Sequence, residues 1–330
     1  VDGVSNIRYR ETVKEIAERL LNSSGVIVSS HIEPDGDSIG CMVAMWRALR
    51  AKGINSYLIW EGEIPNRLKF VIENCEITKE EPRDYDTAIV LDSGDLNRLQ
   101  PAFRNMLKNC RVVINIDHHK SNSMFGDINL VDVESSSAAE MALDLIEELG
   151  VELSFDIALP LYVGLITDTG NFSYANTNRK SHLTAIRLIS VGVDPYIIHK
   201  VLNENKDIKF ILLLGDALKS IKLKMGGKIA VIRITSKMLD DNKFDPREVN
   251  GFIEYARAVK GIDVAVLLRE EDNKVKVSMR SKGKVDVNKI AMALGGGGHE
   301  KAAGCEVEGD IDSVERTILN HLEELMGSYK

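Results

Sequence analysis

The chain has 330 residues, 44% of them apolar and 28% charged. That length exceeds what one hydrophobic core usually serves and predicts two compact domains, while the ordinary apolar and charged content excludes a disordered or low-complexity polymer. Asp and Glu outnumber Lys and Arg by 50 to 42, a formal charge of −8, which argues against a long duplex nucleic acid as partner.

Helical periodicity over Glu11 to Leu21 is stopped by Asn22-Ser23-Ser24-Gly25, and the β-branched run Val26-Ile27-Val28 follows as a buried strand. Similar runs recur at Tyr57 to Trp60, Ala88 to Leu91 and Val112 to Ile116, with helical stretches such as Ile39 to Lys52 between them. Strand and helix alternating in this way predict an α/β fold: a parallel sheet with helices on both faces. Helical patterns then cover Ser136 to Gly150, Leu153 to Leu165, Arg179 to Val191 and Ile208 to Leu218. Beyond them Lys228 to Ile234, Asp263 to Arg269 and Lys274 to Met279 alternate as half-exposed strands, the last two joined by a turn at Glu270 to Asn273. A glycine-rich loop and a closing helix from Val314 to Met326 complete a smaller α+β domain. The predicted boundaries are 1–195 for the first domain, 196–220 for a helical linker and 221–330 for the second.

Cys41, Cys75, Cys110 and Cys305 are scattered and form no C-x-x-C pair, so neither a zinc ribbon nor a disulfide framework is indicated. No apolar run approaches the roughly 18 residues of a membrane span, and the first ten residues lack the apolar core of a secretion signal. A cytoplasmic protein with no membrane partner is expected.

The first strand leads into Ser29-Ser30-His31-Ile32-Glu33-Pro34-Asp35-Gly36-Asp37-Ser38, at the strand end where open α/β sheets bind ligands. Taken singly, Pro34-Asp35-Gly36 is a good turn, and Asp37 or Ser38 a good helix N-cap. Asp92 ends the third strand, Asp117-His118-His119 ends the fourth, and Asp168 stands where the helical run through Gly164-Leu165-Ile166-Thr167 breaks. Side chains of this kind at several strand ends of one sheet can converge on a single crevice. Two imidazoles and four carboxylates suit Mn²⁺ or Mg²⁺ better than a structural zinc. Two ions held about 3.5 to 4 Å apart would clamp the attacking and leaving oxygens of a phosphoryl displacement.

In the second domain, Ser278-Met279-Arg280-Ser281 precedes the run Gly295-Gly296-Gly297-Gly298-His299. The glycines read either as a flexible turn or as a backbone nest for a phosphate, with Arg280 as a fork-shaped partner. Arg98 is a candidate phosphate contact, or simply a solvated surface arginine. Ser135, Ser136 and Ser137 are read as caps of the following helix. His182, His199 and His321 fall inside helical runs and are read as structural.

His31-x-x-Pro34-Asp35-Gly36-Asp37-Ser38, Asp92, Asp117-His118-His119-x-x-Asn122 and Gly164-x-x-Thr167-Asp168-Thr169-Gly170-x-Phe172 resemble the motifs of the DHH phosphoesterase superfamily. Arg280-Ser281 and the Gly295 to Gly304 segment resemble the DHHA1 domain that follows it, and the whole chain is most similar to the short, two-domain nanoRNase type. Cys41, where a serine is common, is the main local departure and affects no ligand.

The resemblance implies one Mn²⁺ on His31, Asp35 and Asp92 and a second on Asp37, Asp92, His118 and Asp168, with Asp92 shared. Mg²⁺ or Co²⁺ would be substitutes. It gives His119 a contact to the scissile phosphate, and gives Arg280, Ser281, Gly297, Gly298 and His299 the grip on the substrate's phosphate or nucleotide end. The implied activity is hydrolysis of pApA, cyclic di-AMP and nanoRNA to nucleoside 5′-monophosphates, extending to pAp. A non-hydrolysing cyclic-dinucleotide sensor and an inorganic pyrophosphatase are the alternatives. A complete ligand set disfavours the first and the glycine run with His299 the second. A homodimer is expected from family habit.

Overall fold

In the computed structural model, which describes residues 2–246, 249 and 251–327, the chain divides into two units, Val1–Glu204 and Asn205–Lys330. The first contains α1 (Asp2–Leu21), β1 (Val26–Ser30), α2 (Gly36–Ala51), β2 (Ser56–Ile59), β3 (Ile77–Thr78), β4 (Thr87–Leu91), α3 (Pro101–Met106), β5 (Val112–Asp117) and β6 (Ile128–Val131). Helices α4 (Ala138–Glu148), α5 (Phe155–Asp168), α6 (Arg179–Ser190) and α7 (Pro195–Asn203) follow.

The six strands form one sheet in the order β3-β2-β1-β4-β5-β6, and every pair is parallel. β1 and β4 are buried along their whole length, which is why they read as unbroken apolar runs. One core contains Ile16 and Leu20 of α1, Met42 and Met45 of α2, Met141 and Leu145 of α4, and Leu161 of α5. A smaller one joins Ile27, Ala88 and Val90 of the strands to Leu99, Phe103 and Met106. Since consecutive strand residues face opposite ways, helices cover both faces, as the periodicity predicts. The edge strands β3 and β6 escape sequence analysis because one has two residues and the other is largely half-buried.

Glycines let α2 and α5 meet closely. A Cβ on Gly40 would lie 2.3 Å from the Pro160 carbonyl oxygen, and one on Gly36 would lie 2.2 Å from the Thr167 hydroxyl. The start of α2 is thereby held against the end of α5.

The second unit contains α8 (Ile208–Lys219), β7 (Lys222–Lys224), β8 (Ile229–Ile234), α9 (Ser236–Asn242), α10 (Phe252–Ala258), β9 (Val264–Glu271), β10 (Lys274–Ser281), α11 (Val287–Ala293), β11 (Gly297–His299), β12 (Ala302–Glu308) and α12 (Ile311–Gly327). Its sheet has the order β11-β12-β10-β9-β8-β7, with β8 and β9 parallel and the other pairs antiparallel. One core lies under α11 and α12, and the other under α8, α9 and α10.

Three local expectations change. The span 196–220 is largely helical, as expected of a helical linker, but divides between the units: Ile198 and Leu202 of α7 enter the first unit's core, while Phe210, Leu213 and Leu214 of α8 enter a core of the second. Each helix has an apolar face that its own unit buries. The hairpin is tighter than predicted, because β9 and β10 extend to Glu271 and Lys274 and leave a two-residue turn, with Asp272 at φ 51°. The glycine run is also more ordered than a loop, since Gly297 to His299 pair antiparallel with Ala302 to Gly304. A Cβ on Gly298 would lie 2.5 Å from the Ala302 carbonyl oxygen, so close approach of two strands requires glycine there.

Candidate metal and phosphate site

β1, β4 and β5 are neighbours in a parallel sheet, so their carboxyl ends open on the same edge. His31 follows β1, Asp92 follows β4, and Asp117 ends β5 immediately before His118 and His119. Asp35 is the N-cap of α2. Its Oδ1 accepts the Ser38 N–H at 2.9 Å and its own N–H donates to the Ser38 hydroxyl at 2.9 Å, a capping box in which Ser38 sits three residues inside the helix instead of at the cap.

Asp37 caps a different helix. Its Oδ2 accepts the Ala138 N–H at 2.6 Å and its Oδ1 the Ala139 N–H at 3.0 Å, at the positive end of α4. The predicted serine caps are therefore corrected. Ser137 occupies the N-cap position without a side-chain capping bond, Ser136 donates to Glu140 at 2.6 Å, and Ser135 donates to Asp132 at 2.9 Å. A buried carboxylate needs donors, and Asp37 takes the ones the serines would have used.

Asp168, the last residue of α5, completes the group. Nε2 of His31 lies 3.5 Å from Asp92 Oδ2 and 4.0 Å from Asp35 Oδ1. Nε2 of His118 lies 3.3 Å from Asp168, 3.5 Å from Asp92 Oδ1 and 3.9 Å from Asp37. Ligand atoms of His31, Asp35 and Asp92 all lie within 4.8 Å of one another, and so do those of Asp37, Asp92 and His118. Asp92 belongs to both sets.

The donor set fits divalent cations on two further grounds. Asp92 Oδ1 is buried without a hydrogen bond, and Asp92 sits at φ 52°, a conformation that residues other than glycine rarely adopt. In addition, Nδ1 of His31 lies 2.5 Å from the Ile32 carbonyl oxygen and Nδ1 of His118 lies 3.2 Å from that of Ser135. A proton held on Nδ1 leaves each Nε2 lone pair facing the carboxylates, as in metal-ligating histidines.

Without cations the cluster shares protons. Burial, reinforced by Asp92 and Asp168, pushes Asp37 well above the usual carboxylate range. Burial likewise raises Asp168 to about 7, against the pull of His118. For His31 burial favours the neutral ring, but Asp92 and Asp35 outweigh it and raise the group to about 9. Burial also opposes ionisation of Asp92, yet the adjoining His118 and His31 imidazoles hold it well below its ordinary value.

His119 is oriented differently from His118. Its Nδ1 lies 2.6 Å from Asp117 Oδ1, and Asn122 donates to Asp117 Oδ2 at 2.5 Å. Sequence analysis assigns Asp117 no role, although its place in the triplet was the available signal. Arg98 is half-buried, its carbonyl oxygen accepts the Ile32 N–H at 2.7 Å, and its charge acts on His31.

In the second unit, Arg280 and His299 stand opposite the same residue, Ala302, from the two strands that flank β12. Directly opposed residues share a sheet face, so the two side chains stand on one face about 10 Å apart. Arg280 Nε lies 3.5 Å from Glu254. Ser281 is buried at the end of β10, and Gly297 and Gly298 lie in the edge strand.

Residues 25–165 match the DHH family N-terminal domain and residues 226–328 match the DHHA1 domain. A bifunctional oligoribonuclease and PAP phosphatase NrnA from Thermus thermophilus is 34% identical over 321 residues, covering 96% of this chain and 95% of that protein. The chain belongs to the DHH–DHHA1 family. A cyclic-di-AMP phosphodiesterase GdpP from Bacillus subtilis is 28% identical over 337 residues, which cover 96% of this chain and 50% of that one. The crystal structure of an exopolyphosphatase-related protein from Bacteroides fragilis has a TM-score of 0.87 at 25% identity, covering 96% of each chain. No helix among the described residues is long and apolar enough to cross a membrane.

Proposed function

We propose that this DHH–DHHA1 protein is a Mn²⁺-dependent phosphodiesterase that hydrolyses short oligoribonucleotides and dinucleotides, pApA and cyclic di-AMP among them, to nucleoside 5′-monophosphates, and that it also dephosphorylates pAp. The observation that carries this reading is the sharing of one buried, strained carboxylate, Asp92, by two groups of candidate ligands. The 34% identical oligoribonuclease and PAP phosphatase supports the substrate class.

His31, Asp35 and Asp92 would hold one Mn²⁺, and Asp37, Asp92, His118 and Asp168 the other, with Mg²⁺ or Co²⁺ as substitutes. When bound, such ions neutralise charge that builds up on a phosphate and promote attack by water. His119, held by Asp117, contacts a scissile phosphate oxygen and stabilises its developing charge. Arg280, Ser281, Gly297, Gly298 and His299 take the phosphate or nucleotide end of the substrate, and Arg98 makes a further phosphate contact. Short substrates need few such contacts, which reconciles nucleotide chemistry with the charge of −8. The reading includes a cytoplasmic location and a homodimer, the latter supported by the exposed apolar stripe Leu183, Ile186 and Ile189 on α6.

The test compares kcat/KM in Mn²⁺ for pApA, cyclic di-AMP, longer RNA, pAp and pyrophosphate. Preference for the dinucleotides and pAp is expected. Hydrolysis of pyrophosphate alone, or of none of the five, would overturn the reading.

A further inference from the structure

Among the described charged side chains around the cluster, Arg67 combines a buried, unsatisfied Nε with the lack of an ion-pair partner. It lies in the 3₁₀ helix Asn66–Ile72, whose Leu68 and Val71 are buried and which packs against both α2 and α5, the helices that carry Asp35 and Asp37 at one end and Asp168 at the other. Arg67 is half-buried, and its Nε is sealed from solvent without a hydrogen bond. No described residue gives its guanidinium a hydrogen bond or an ion pair. A buried guanidinium with an unmet donor is costly, and such groups normally find a carboxylate.

One carboxylate is within electrostatic reach. Asp35 acts on Arg67 through its charge, partly offsetting the burial that lowers the pKa of the guanidinium. No salt bridge closes between them, and Asp35 Oδ1 instead accepts the Ser38 N–H in the capping box. Arg67 is therefore held beside the cluster as an unused cation. A guanidinium presents parallel N–H groups that match two oxygens of a phosphate, a geometry a lysine cannot reproduce.

We propose that Arg67 is a phosphate-recognition residue of this site, whose guanidinium takes the phosphate of a bound nucleotide at the His31–Asp35 edge of the cluster. This rests on the reading of the cluster as a nucleotide phosphodiesterase site and adds a contact outside the family motifs. It also supplies positive charge on the side where Asp35 would repel an incoming phosphate.

The test measures AMP binding by calorimetry to the full chain in saturating Mn²⁺, for wild type, Arg67→Gln and Arg67→Lys, with the Mn²⁺ affinity of each determined separately. Arg67→Gln should weaken AMP binding by about tenfold or more, and Arg67→Lys should recover part of it. Mn²⁺ affinity should stay the same or rise, since a like charge has been removed from the neighbourhood. Unchanged AMP affinity in Arg67→Gln would overturn the assignment, as would a parallel loss of AMP and Mn²⁺ affinity, which would mean that Arg67 acts only through Asp35. If Arg67→Gln fails to fold, Arg67→Lys decides, and AMP affinity equal to wild type then overturns the proposal. Turnover of pApA is followed independently: an inactive wild type that still binds AMP through Arg67 would sink the phosphodiesterase reading and leave this contact standing.

Discussion

Asp117 Oδ1 lies 2.6 Å from Nδ1 of His119, and Asn122 donates to the second oxygen of the same carboxylate. Burial disfavours a charged His119, but the Asp117 hydrogen bond and charge outweigh it and raise the imidazole above its usual pKa. In the proposed mechanism Asp117 is a positioning residue that orients the His119 imidazole for its phosphate contact. Asp117→Asn should lower kcat by on the order of 10²-fold. Mn²⁺ affinity should barely change, because the replaced carboxylate faces His119 and Asn122. Kinetics and a Mn²⁺ titration on the same preparation separate this role from loss of metal.

Replacing Asp92 reaches further, because its two oxygens face different imidazoles, 3.5 Å away in each case. Asp92→Ala should weaken Mn²⁺ binding at both positions and lower kcat by about 10³-fold or more, the equivalent of several kcal/mol of charge stabilisation. Mn²⁺ stoichiometry by equilibrium dialysis checks it. Full stoichiometry with wild-type turnover would remove Asp92 from its shared position.

The pH dependence of metal binding has a defined sign. Asp168 is raised to about 7 and His31 to about 9 in the metal-free protein, so at neutral pH a cation must displace protons from both. Mn²⁺ affinity should therefore rise with pH between about 6 and 9, approaching tenfold per pH unit for each proton displaced. Calorimetry in buffers of different ionisation enthalpy would report proton release directly.

The second unit has its own acid-sensitive element. Buried Glu315 on α12 lies 2.9 Å from Lys224 and 2.5 Å from Arg233. Burial favours its neutral form, but the hydrogen bonds from Lys224 and Arg233 prevail and hold its pKa below the ordinary glutamate value. A depressed folded pKa gives stability that is complete above the unfolded value of about 4.3 and is lost as pH falls through the folded one. Glu315→Ala leaves two cations facing an emptied site and should cost about 3 kcal/mol at neutral pH. The cost should shrink on acidification, as thermal melts of the two proteins between pH 3 and 7 would measure.

A tight contact tests how the site is built. A Cβ on Gly164 would lie 2.7 Å from Asp37 Oδ1 and 3.0 Å from the Ala139 side chain. Gly164→Ala should destabilise the first unit by about 1 to 3 kcal/mol. It should also weaken Mn²⁺ binding by displacing Asp37, and a melt paired with a Mn²⁺ titration checks both effects.

The sequence by itself determined the parallel sheet, because β1 and β4 are buried throughout and so carry unbroken apolar runs. It also pointed to His31, Asp35, Asp37, Asp92, His118 and Asp168, since each stands at or just beyond the end of a strand or helix, where periodicity visibly stops. Contacts between segments distant in the chain were not legible. Asp37 caps α4 across 101 residues, displacing serines that stand next to that helix in sequence. Glycines read as a flexible loop or a phosphate nest also allow β11 to pair closely with β12. Arg67, an arginine in an ordinary turn sequence, acquires meaning only where the fold buries its Nε and brings its charge within reach of Asp35. Local pattern records the hydrophobic period and the breaks in it, whereas partner choice for a buried polar group depends on which donors and charges the tertiary fold leaves within reach.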